Sequence, residues 1–129
     1  MIYLFGNWKM YLDLEESVTL VTELCNVKLP THEYVTLGIF PNPLAFVSVR
    51  SVFKGSTFFL GAQNVGWTSK GAYTGSISAE LYKNAGATYA LVGHSERRSL
   101  YKETSIQVAH KVNLRTHNLS PNEIKKNID

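Results

Sequence analysis

The sequence predicts an α/β fold in which parallel strands alternate with helices. Four apolar runs of strand length recur along the 129 residues, and helical patterns separate them. The runs are apolar on both faces, which is the pattern of parallel strands covered on both sides. Regular alternation of this kind is typical of layered α/β architectures. Polar side chains follow several of the runs, at the strand ends where such folds bind ligands.

The first unit begins with a strand over residues 2–7, which runs into a loop with the sequence GNWKM at residues 6–10. Asp13 is predicted to cap a helix that begins near Leu14. Apolar side chains then recur at helical spacing, at Val18, Val21, Leu24 and Cys25. Pro30 closes the unit.

The second and third units follow the same plan. Val35–Phe40 is predicted as a strand, and a short helix follows it and ends by Gly55. The apolar positions of that helix are Leu44, Val47 and Val52. Residues 57–63 form the third predicted strand. The loop over residues 66–75 is rich in glycine and longer than an ordinary strand-to-helix connection, so it is a candidate functional loop.

The fourth unit completes the pattern. Ser78 is predicted to cap a helix over residues 79–84, which Gly86 ends. Residues 88–92 form the fourth predicted strand. A further helix-like pattern spans residues 104–117. The units are not sequence repeats of one another, and no low-complexity tract interrupts them.

His94 lies between the fourth strand and the start of a helix. Ser95 is predicted as the N-cap, and Glu96 places a carboxylate in the first helical turn. Amides at a helix start disfavour a cationic imidazole, so we expect a neutral ring that donates a hydrogen bond. Asn7, Lys9 and His94 all lie at the carboxyl ends of predicted strands, which makes them candidate ligand-binding residues.

The composition indicates one soluble globular domain, with 44% hydrophobic and 18% charged residues. The formal net charge of +3 is mild and the basic residues are scattered, so nucleic-acid binding is not indicated. Cys25 is the single cysteine, which excludes an internal disulfide framework and cannot by itself make a metal site. No signal sequence or membrane-spanning run is apparent, and the sequence predicts a cytoplasmic protein that does not bind membranes.

Three motifs occur in a fixed order. They are GNWKM at residues 6–10, GAQN at residues 61–64 followed by GAYTG at residues 71–75, and VGHSERR at residues 92–98. This ordered set resembles the N-terminal half of the triosephosphate isomerase family, whose members fold as (β/α)8 TIM barrels.

The resemblance runs from residue 2 to about residue 112 and more faintly to residue 121. It implies four strand-helix units of the eight-unit barrel, that is, a half-barrel with parallel strands. We therefore expect a family-like domain over residues 1–121 and a polar tail over residues 122–129 that departs from the family.

The resemblance implies an isomerase that interconverts dihydroxyacetone phosphate and glyceraldehyde 3-phosphate in glycolysis and gluconeogenesis. Lys9 then supplies positive charge for the phosphate and the developing enediolate, and Asn7 orients the lysine and lines the site. His94 is the neutral electrophile that donates a hydrogen bond to the substrate oxygens. A neutral histidine at a helix start is an established feature of this family. The role of His94 that the resemblance implies therefore does not independently support the neutral imidazole that we expect from the helix-start amides. No cofactor and no metal are implied.

Three further residues have supporting roles by resemblance. Glu96 and Arg97 resemble residues that support the site from behind and tie it to a dimer interface. Thr74 resembles the tip of a loop that inserts into the partner subunit, which implies a homodimer. Ser76, however, stands where the family usually carries an acid. If Arg97 normally pairs with that acid across the interface, the pair is missing here, and Ser76 argues against the dimer.

The length sets the main functional expectation. A complete barrel of this kind has eight units in about 250 residues, whereas this chain holds four. The family's glutamate base lies on the sixth unit and its phosphate loops lie later still, so the general base is absent and we expect no activity from the chain alone. Glu96 matches a supporting position and does not replace the base. Residues 122–129 are polar where a fifth strand needs an apolar run, which suggests a truncated, frame-shifted or degraded gene.

Three interpretations stay open, and with them the question of whether the chain is an enzyme. It is an inactive N-terminal half of a triosephosphate isomerase, a non-catalytic remnant that serves as an interaction module, or one half of a split enzyme completed by a separate C-terminal half. A half-barrel leaves strand edges unpaired, here at residues 2–7 and 88–92. We therefore expect a soluble chain to self-associate or to recruit its missing half.

Overall fold

The computed structural model describes residues 2–27, 34–53 and 58–116, with only the backbone described for residues 114–116. The chain divides into two compact units. The first comprises Met1–Gln63 and Ala85–Ala90, and the second comprises Asn64–Asn84 and Leu91–Asp129.

Four parallel strands form the sheet of the first unit, in the order β1-β2-β3-β4. They are β1 (Ile2–Asn7), β2 (Val35–Phe40), β3 (Phe58–Ala62) and β4 (Tyr89–Ala90). β1 pairs with β2 along its whole length, which places Asn7 beside Phe40. β3 pairs with β2 on one side and with β4 on the other. Parallel strands in sequential order, with helices between them, are the arrangement of a (β/α) barrel. The predicted half-barrel with parallel strands is confirmed.

Aromatic side chains fill one face of this sheet. The rings of Phe5 and Phe40 occupy the space in which a Cβ would lie at Gly38 and Gly61 on the neighbouring strands, so each ring requires a glycine beside it. The Phe5 ring lies 5.0 Å from the Tyr89 ring, centroid to centroid. In a flat sheet, β1 and β4 would be about 14 Å apart. The contact between their side chains therefore shows that the sheet is curled.

Two helices follow the first two strands, α1 (Leu14–Asn26) and α2 (Phe46–Val52). Asp13 Oδ1 accepts a hydrogen bond from Glu16 N at 2.9 Å, and Glu16 Oε2 accepts one from Asp13 N at 2.9 Å. This reciprocal capping box confirms the predicted cap of α1. Among the described residues of the first unit, the buried apolar side chains include Val21, Ile39, Phe40, Pro41, Ala45, Phe46, Val49, Phe53, Leu60 and Ala62.

β1 is more exposed than its apolar pattern alone predicted. An apolar pattern on both faces predicted a strand covered on both sides, but Ile2, Tyr3, Leu4 and Phe5 keep between 42% and 57% of their surface. β1 lies at the end of the sheet, and within the described residues it pairs only with β2. The prediction of double coverage is therefore wrong for β1, because an apolar pattern shows what a strand can bury and not how many neighbours it has. The unpaired edge expected at residues 2–7 of a half-barrel agrees with this position of β1.

The second unit contains α3 (Ala79–Asn84), α4 (Ser95–Ser99) and α5 (Ser105–Thr116). Ser78 Oγ accepts a hydrogen bond from Leu81 N at 3.1 Å, which confirms the predicted cap of α3. An isolated parallel bridge between Gly66 and Ser78 closes the base of the loop before this helix. Tyr82 is buried, and burial raises the pKa of its phenol above the usual value of 10.0.

Two element boundaries differ from the predictions by two residues. α2 begins at Phe46 and not near Leu44, because Asn42 Oδ1 accepts hydrogen bonds from the amides of Leu44 and Ala45 and forms a turn ahead of the helix. β4 is shorter than the predicted strand over residues 88–92, because its pairing with β3 covers two residues only.

The cap predicted at Ser95 is wrong. His94 is the N-cap of α4, and Ser95 is the first residue of the helix. Sequence preference favoured serine because its hydroxyl is a good cap. Here the imidazole of the preceding residue accepts the hydrogen bond from Glu96 N instead.

Several predictions fall outside the described residues. They concern Pro30, Gly55, Thr57, His117, and the boundary between residues 121 and 122 with the tail that follows it. Across the part of the chain that the structure describes, no helix is long and apolar enough to cross a membrane.

Candidate active site

Lys9 follows β1 in a left-handed backbone conformation, with φ of 54°. This region is uncommon for residues other than glycine, and its strain is about 1–2 kcal/mol. Two side chains hold it: Asn7 Oδ1 accepts a hydrogen bond from Lys9 N at 3.0 Å, and Gln63 Nε2 donates one to Lys9 O at 2.7 Å. Both backbone polar groups of Lys9 are therefore bonded by side chains.

The loop that carries Lys9 is fixed at both ends. Trp8 N donates to Phe40 O at 3.1 Å, which continues the pairing of β1 and β2 beyond the strands themselves. Asn42 Nδ2 donates to Leu12 O at 2.7 Å. The Lys9 loop is thus tied to the residues that end and follow β2.

His94 is held by its own neighbours. Its Nδ1 accepts a hydrogen bond from Glu96 N at 3.3 Å, and the side chain is 28% exposed. Glu96 Oε2 lies 3.5 Å from the same nitrogen, which is long for a hydrogen bond. Because a backbone N–H can only donate, Nδ1 must present its lone pair. The imidazole then carries its proton on Nε2 and can donate from that side.

Arg97 has an incompletely bonded guanidinium. Its Cζ lies 4.3 Å above the centroid of the Tyr101 ring, a cation–π contact. Its Nε is buried and has no hydrogen-bond partner among the described residues. The Arg97 carbonyl accepts a hydrogen bond from Glu103 N at 3.1 Å. The backbone of Arg97 is therefore tied to the segment before α5, while one side-chain donor is left over.

A buried ion pair links α5 to the segments around it. Lys111 Nζ donates a short hydrogen bond to Glu103 Oε1 and another to Asn64 Oδ1 at 2.7 Å. The Lys111 and Glu103 side chains are 2% and 4% exposed, so both charges are desolvated. The sequence analysis missed this pair. Its signal was a lysine within the apolar stripe of a predicted helix, beside Val108 and Val112.

The glycine-rich loop before α3 presents its tip to solvent. Thr74 and Ser76 are exposed, and Gly75 adopts a φ of 82° that favours glycine. The Trp67 and Tyr73 rings meet edge to face, with centroids 6.2 Å apart. They border a cavity of about 190 Å³ within the loop.

The structure brings the predicted residues together in two local sets. Asn7 and Lys9 meet in the first unit, where Gln63 joins them. His94 and Glu96 meet in the second unit. Gln63 was not predicted as a site residue, although it directly follows β3 and Asn7 is the last residue of β1. In the described ranges, no group of three or more His, Cys, Asp or Glu residues could hold a metal ion.

The curled parallel sheet, with polar residues after its strand ends, defines part of a (β/α)-barrel protein of the kind that binds ligands at those ends. A family model described as triosephosphate isomerase matches residues 2–121. The chain belongs to the triosephosphate isomerase family.

Curated relatives support this assignment. The chain is 43% identical to the triosephosphate isomerase of Caldanaerobacter subterraneus subsp. tengcongensis over 117 residues, which cover 90% of this chain and 46% of that protein. It is 40% identical to that of Treponema denticola over 113 residues, which cover 87% of this chain and 44% of the relative. For Chlamydia muridarum the identity is 33% over 110 residues, with 85% and 41% covered. The chain spans about half the length of the curated relatives it matches.

Proposed function

We propose that this chain carries the N-terminal share of a triosephosphate isomerase active site, in which Lys9 and His94 act on a triose phosphate. The reaction is the interconversion of dihydroxyacetone phosphate and glyceraldehyde 3-phosphate. The observation that carries the proposal is the strained backbone of Lys9, which Asn7 and Gln63 hold on both sides. Strain of this kind persists where the surrounding structure imposes it, and it concentrates at functional sites.

Lys9 supplies positive charge in this proposal. Its ammonium offsets the charge of the substrate phosphate and the negative charge that develops on the substrate oxygens. A lysine on a loop is usually solvated and has wide conformational freedom. The fixed main chain at Lys9 restricts that freedom to the side-chain torsions, which favours a role that requires a defined position.

His94 supplies a hydrogen bond. With Nδ1 occupied by the Glu96 amide, Nε2–H is the donor that the substrate oxygens receive as an enediolate forms. Such a donor is most effective when it is oriented before the reaction begins, and the cap supplies that orientation. Glu96 supports the histidine through its backbone amide, and this bond agrees with a supporting role for Glu96.

Isomerisation also requires a carboxylate base that moves a proton between adjacent carbons. By the family resemblance, we expect that base, and the loops that hold the phosphate, in the C-terminal half of the barrel. The chain aligns with about half the length of its relatives. We propose that turnover requires the C-terminal half, whether it belongs to a longer chain or to a second one.

We further propose that Arg97 and Thr74 take part in a homodimer in the cytoplasm. The exposed tip around Thr74 supplies a surface for a partner subunit, while the role of Arg97 rests on the family resemblance. Ser76 offers a neutral hydroxyl where the family usually carries an acid, so this interface lacks the charge complementarity that would favour Arg97.

A second candidate function is a non-catalytic interaction module, and the exposure of β1 favours it. Apolar side chains along an edge strand are a binding surface for another strand or chain. The same exposed strand serves the split-enzyme interpretation, because the missing half would cover it. The interaction module and the split enzyme differ in whether pairing with the C-terminal half restores activity.

Complementation tests the proposal. The chain is mixed with the C-terminal half of the Caldanaerobacter enzyme, and isomerisation of dihydroxyacetone phosphate is followed by a coupled assay. We expect activity from the mixture and none from the chain alone. Lys9→Ala and His94→Ala should each lower kcat by about 10²–10³-fold, because each removes a group that stabilises the developing charge. Lys83→Ala, which removes an exposed lysine in α3, is the matched control and should have no effect.

Two outcomes would contradict the proposal. Ordinary turnover by the chain alone would show that the base is supplied from within it. A stable complex without activity would support the interaction module instead.

A further inference from the structure

Val108 of α5 packs against Gly93, the residue directly before His94. Gly93 has a φ of 66°, in the left-handed region that glycine adopts readily. A Cβ at Gly93 would lie 3.0 Å from Val108 Cγ2 and 3.1 Å from Val108 Cγ1, whereas carbon atoms pack best at about 3.5–4.0 Å. The two methyl groups of Val108 therefore occupy the space beside Gly93, and any side chain there would meet them.

The branched shape of valine makes this contact stiff. Two carbons on Cβ leave a valine in a helix with one strongly preferred rotamer, so its methyl groups keep a fixed direction relative to the helix. Val108 N donates to Thr104 O at 3.0 Å, which places Val108 in the first turn of α5. The backbone at Gly93, which has no side chain to pack or to bond, contacts this part of the helix.

α5 is itself held in place from the same side. Lys111 follows Val108 by three residues, so the two side chains lie on one face of the helix. Lys111 is buried, and its Nζ donates to Glu103 Oε1 and to Asn64 Oδ1. These residues and Gly93 all belong to the second unit. Val108 is therefore carried by a helix that is bonded to the segment before it and to the loop that contains Asn64.

The support from Val108 differs from the cap at His94. The bond from Glu96 N to His94 Nδ1 fixes the imidazole relative to its own stretch of backbone. It does not fix that stretch relative to the rest of the second unit. This second direction depends on the backbone torsions at Gly93, where a residue without a side chain has the widest freedom. A steric contact beside Gly93 removes part of that freedom.

We propose that Val108 is a positioning residue for His94: its two methyl groups hold the bend at Gly93 and so fix the direction in which the capped imidazole points. This inference rests on the proposed function of His94. Val108 touches no substrate in this scheme and acts only through the histidine. A misdirected imidazole loses catalytic effect even when its cap is intact, because small displacements of a catalytic group are costly.

The first test measures the directions of N–H bonds in the full chain, from residual dipolar couplings in nuclear magnetic resonance. Val108→Ala removes both methyl groups, so we expect the couplings of the Gly93 and His94 amides to change relative to those of α5. The exchange rate of the Glu96 amide should stay as in the wild type, because its bond to the imidazole is local. Val112→Ala, which shortens an exposed valine one turn later in α5, is the matched control and should change none of these signals.

Two further variants separate the branched shape of Val108 from its burial. Val108→Thr keeps two branches on Cβ and replaces one methyl group by a hydroxyl, so the couplings at Gly93 and His94 should match those of the wild type. Val108→Leu stays apolar and favours the helix, so it tests the contact even if Val108→Ala does not fold. Its branch lies one bond further from the backbone, and the couplings should change as they do with alanine.

Three outcomes would overturn the proposal. The first is a wild-type chain without cross-peaks between the Hα protons of Gly93 and the methyl protons of Val108. The second is couplings at Gly93 and His94 that stay unchanged in both the alanine and the leucine variants. The third is a change in the threonine variant as large as that in the alanine variant, since burial and not shape would then be the cause.

The activity arm separates this inference from the proposed function. In the complex with the C-terminal half, Val108→Ala should lower kcat by roughly 10-fold and leave KM unchanged, because the hydrogen bond from His94 gains its strength in the transition state. Added to His94→Ala, it should cause no further loss, since it acts through the histidine. Additive losses would overturn the positioning role. If the wild-type complex is inactive, the proposed function fails, and the couplings at Gly93 and His94 still decide the role of Val108.

Discussion

The segments that carry Lys9 and His94 are held in different ways. The Lys9 carbonyl is bonded to Gln63, 54 residues along the chain, while the His94 imidazole is bonded to the amide of Glu96, two residues along. The first arrangement exists only when the ends of β2 and β3 are in place. The second forms within one turn of backbone. The lysine therefore depends on assembly of the sheet, and the histidine cap depends on its immediate neighbours.

The two arrangements also differ in the conformational entropy that is lost when they form. Closing a long loop costs more conformational entropy than closing a short one, so the Gln63 contact needs support from the packed strands around it. The aromatic face of the sheet supplies that support, with the Phe40 ring seated over Gly61 beside the carbonyl that Gln63 bonds. Changes in the core should therefore reach Lys9 more readily than they reach the His94 cap.

The largest expected effect concerns the buried ion pair between Lys111 and Glu103, which lies in the second unit, as His94 does. Lys111→Met removes the partner of Glu103 and the donor to Asn64, and leaves a carboxylate buried without compensation. We expect a loss of about 3–5 kcal/mol in the free energy of unfolding, measured with urea. Lys111→Met combined with Glu103→Leu should recover most of it, because no buried charge is then left unpaired.

An unchanged free energy of unfolding in Lys111→Met alone would sharpen the comparison between the segments that carry Lys9 and His94. It would mean that the second unit, like the His94 cap within it, is held by local contacts, and that its long-range ion pair contributes little.

The next largest effect should come from Gly61→Ala. A Cβ at this position would enter the space of the Phe40 ring, which is buried and has little room to move. We expect a loss of roughly 1–3 kcal/mol in the free energy of unfolding. We also expect loss of the left-handed signature at Lys9, the strong intraresidue cross-peak between amide and Hα protons that nuclear magnetic resonance shows for a left-handed residue. The Glu96 amide should keep its protection from hydrogen exchange, since its partner is local.

Gly66→Ala is the matched control for that experiment. The atom nearest to a Cβ at Gly66 lies 3.5 Å away, an ordinary contact, so this variant should be close to neutral. If Gly61→Ala removed the exchange protection of the Glu96 amide as fully as it removed the left-handed signature at Lys9, the contrast between the two segments would be wrong.

The contrast between local and distant contacts also explains what the sequence could predict. The bounds of β2 and the caps at Asp13 and Ser78 were predicted correctly, because each depends on residues within a few positions. Residue preferences for the N-cap position were not always sufficient to predict the cap. At α4 the N-cap is His94, whereas Ser95 was predicted. Local sequence patterns therefore predict helices and strands well. They predict less well which of two adjacent residues caps a helix.

The contacts made over long distances could not be predicted from the same patterns. Gln63 was known only as a polar residue at the end of an apolar run, and nothing local identifies Lys9 O as its partner. The pairing of Lys111 with Glu103 and Asn64 likewise depends on how α5 packs in its unit. The exposure of β1 follows from its place at the end of the sheet, which the half-barrel resemblance predicted and the apolar pattern of the strand alone did not.

A smaller effect is expected from the cap of α4. His94→Ala removes the acceptor of Glu96 N, and an unbonded N-terminal amide lowers helix stability by about 1 kcal/mol. Amide exchange at Glu96 should therefore become faster, while the Lys9 signature stays unchanged. His94→Asn, which restores a good capping side chain, should bring the exchange rate back toward that of the wild type. Slow exchange in His94→Ala would show that the cap does not hold this segment.

The smallest expected effect is the pH dependence that Tyr82 contributes, which tests whether the second unit has a packed interior of its own. Tyr82 is 6% exposed, and burial raises the pKa of its phenol above 10.0. Its neutral form is thus favoured in the folded state, so its contribution to stability is complete below pH 10 and is lost as the pH rises through the folded-state value. The advantage of the wild type over Tyr82→Phe, measured by urea unfolding, should shrink above pH 10. Tyr34→Phe, at an exposed position of the first unit, should show no such change relative to the wild type. A constant difference between wild type and Tyr82→Phe from pH 8 to 11 would mean that the phenol is hydrated in the folded chain, and that the second unit is held by its surface contacts and not by a core around Tyr82.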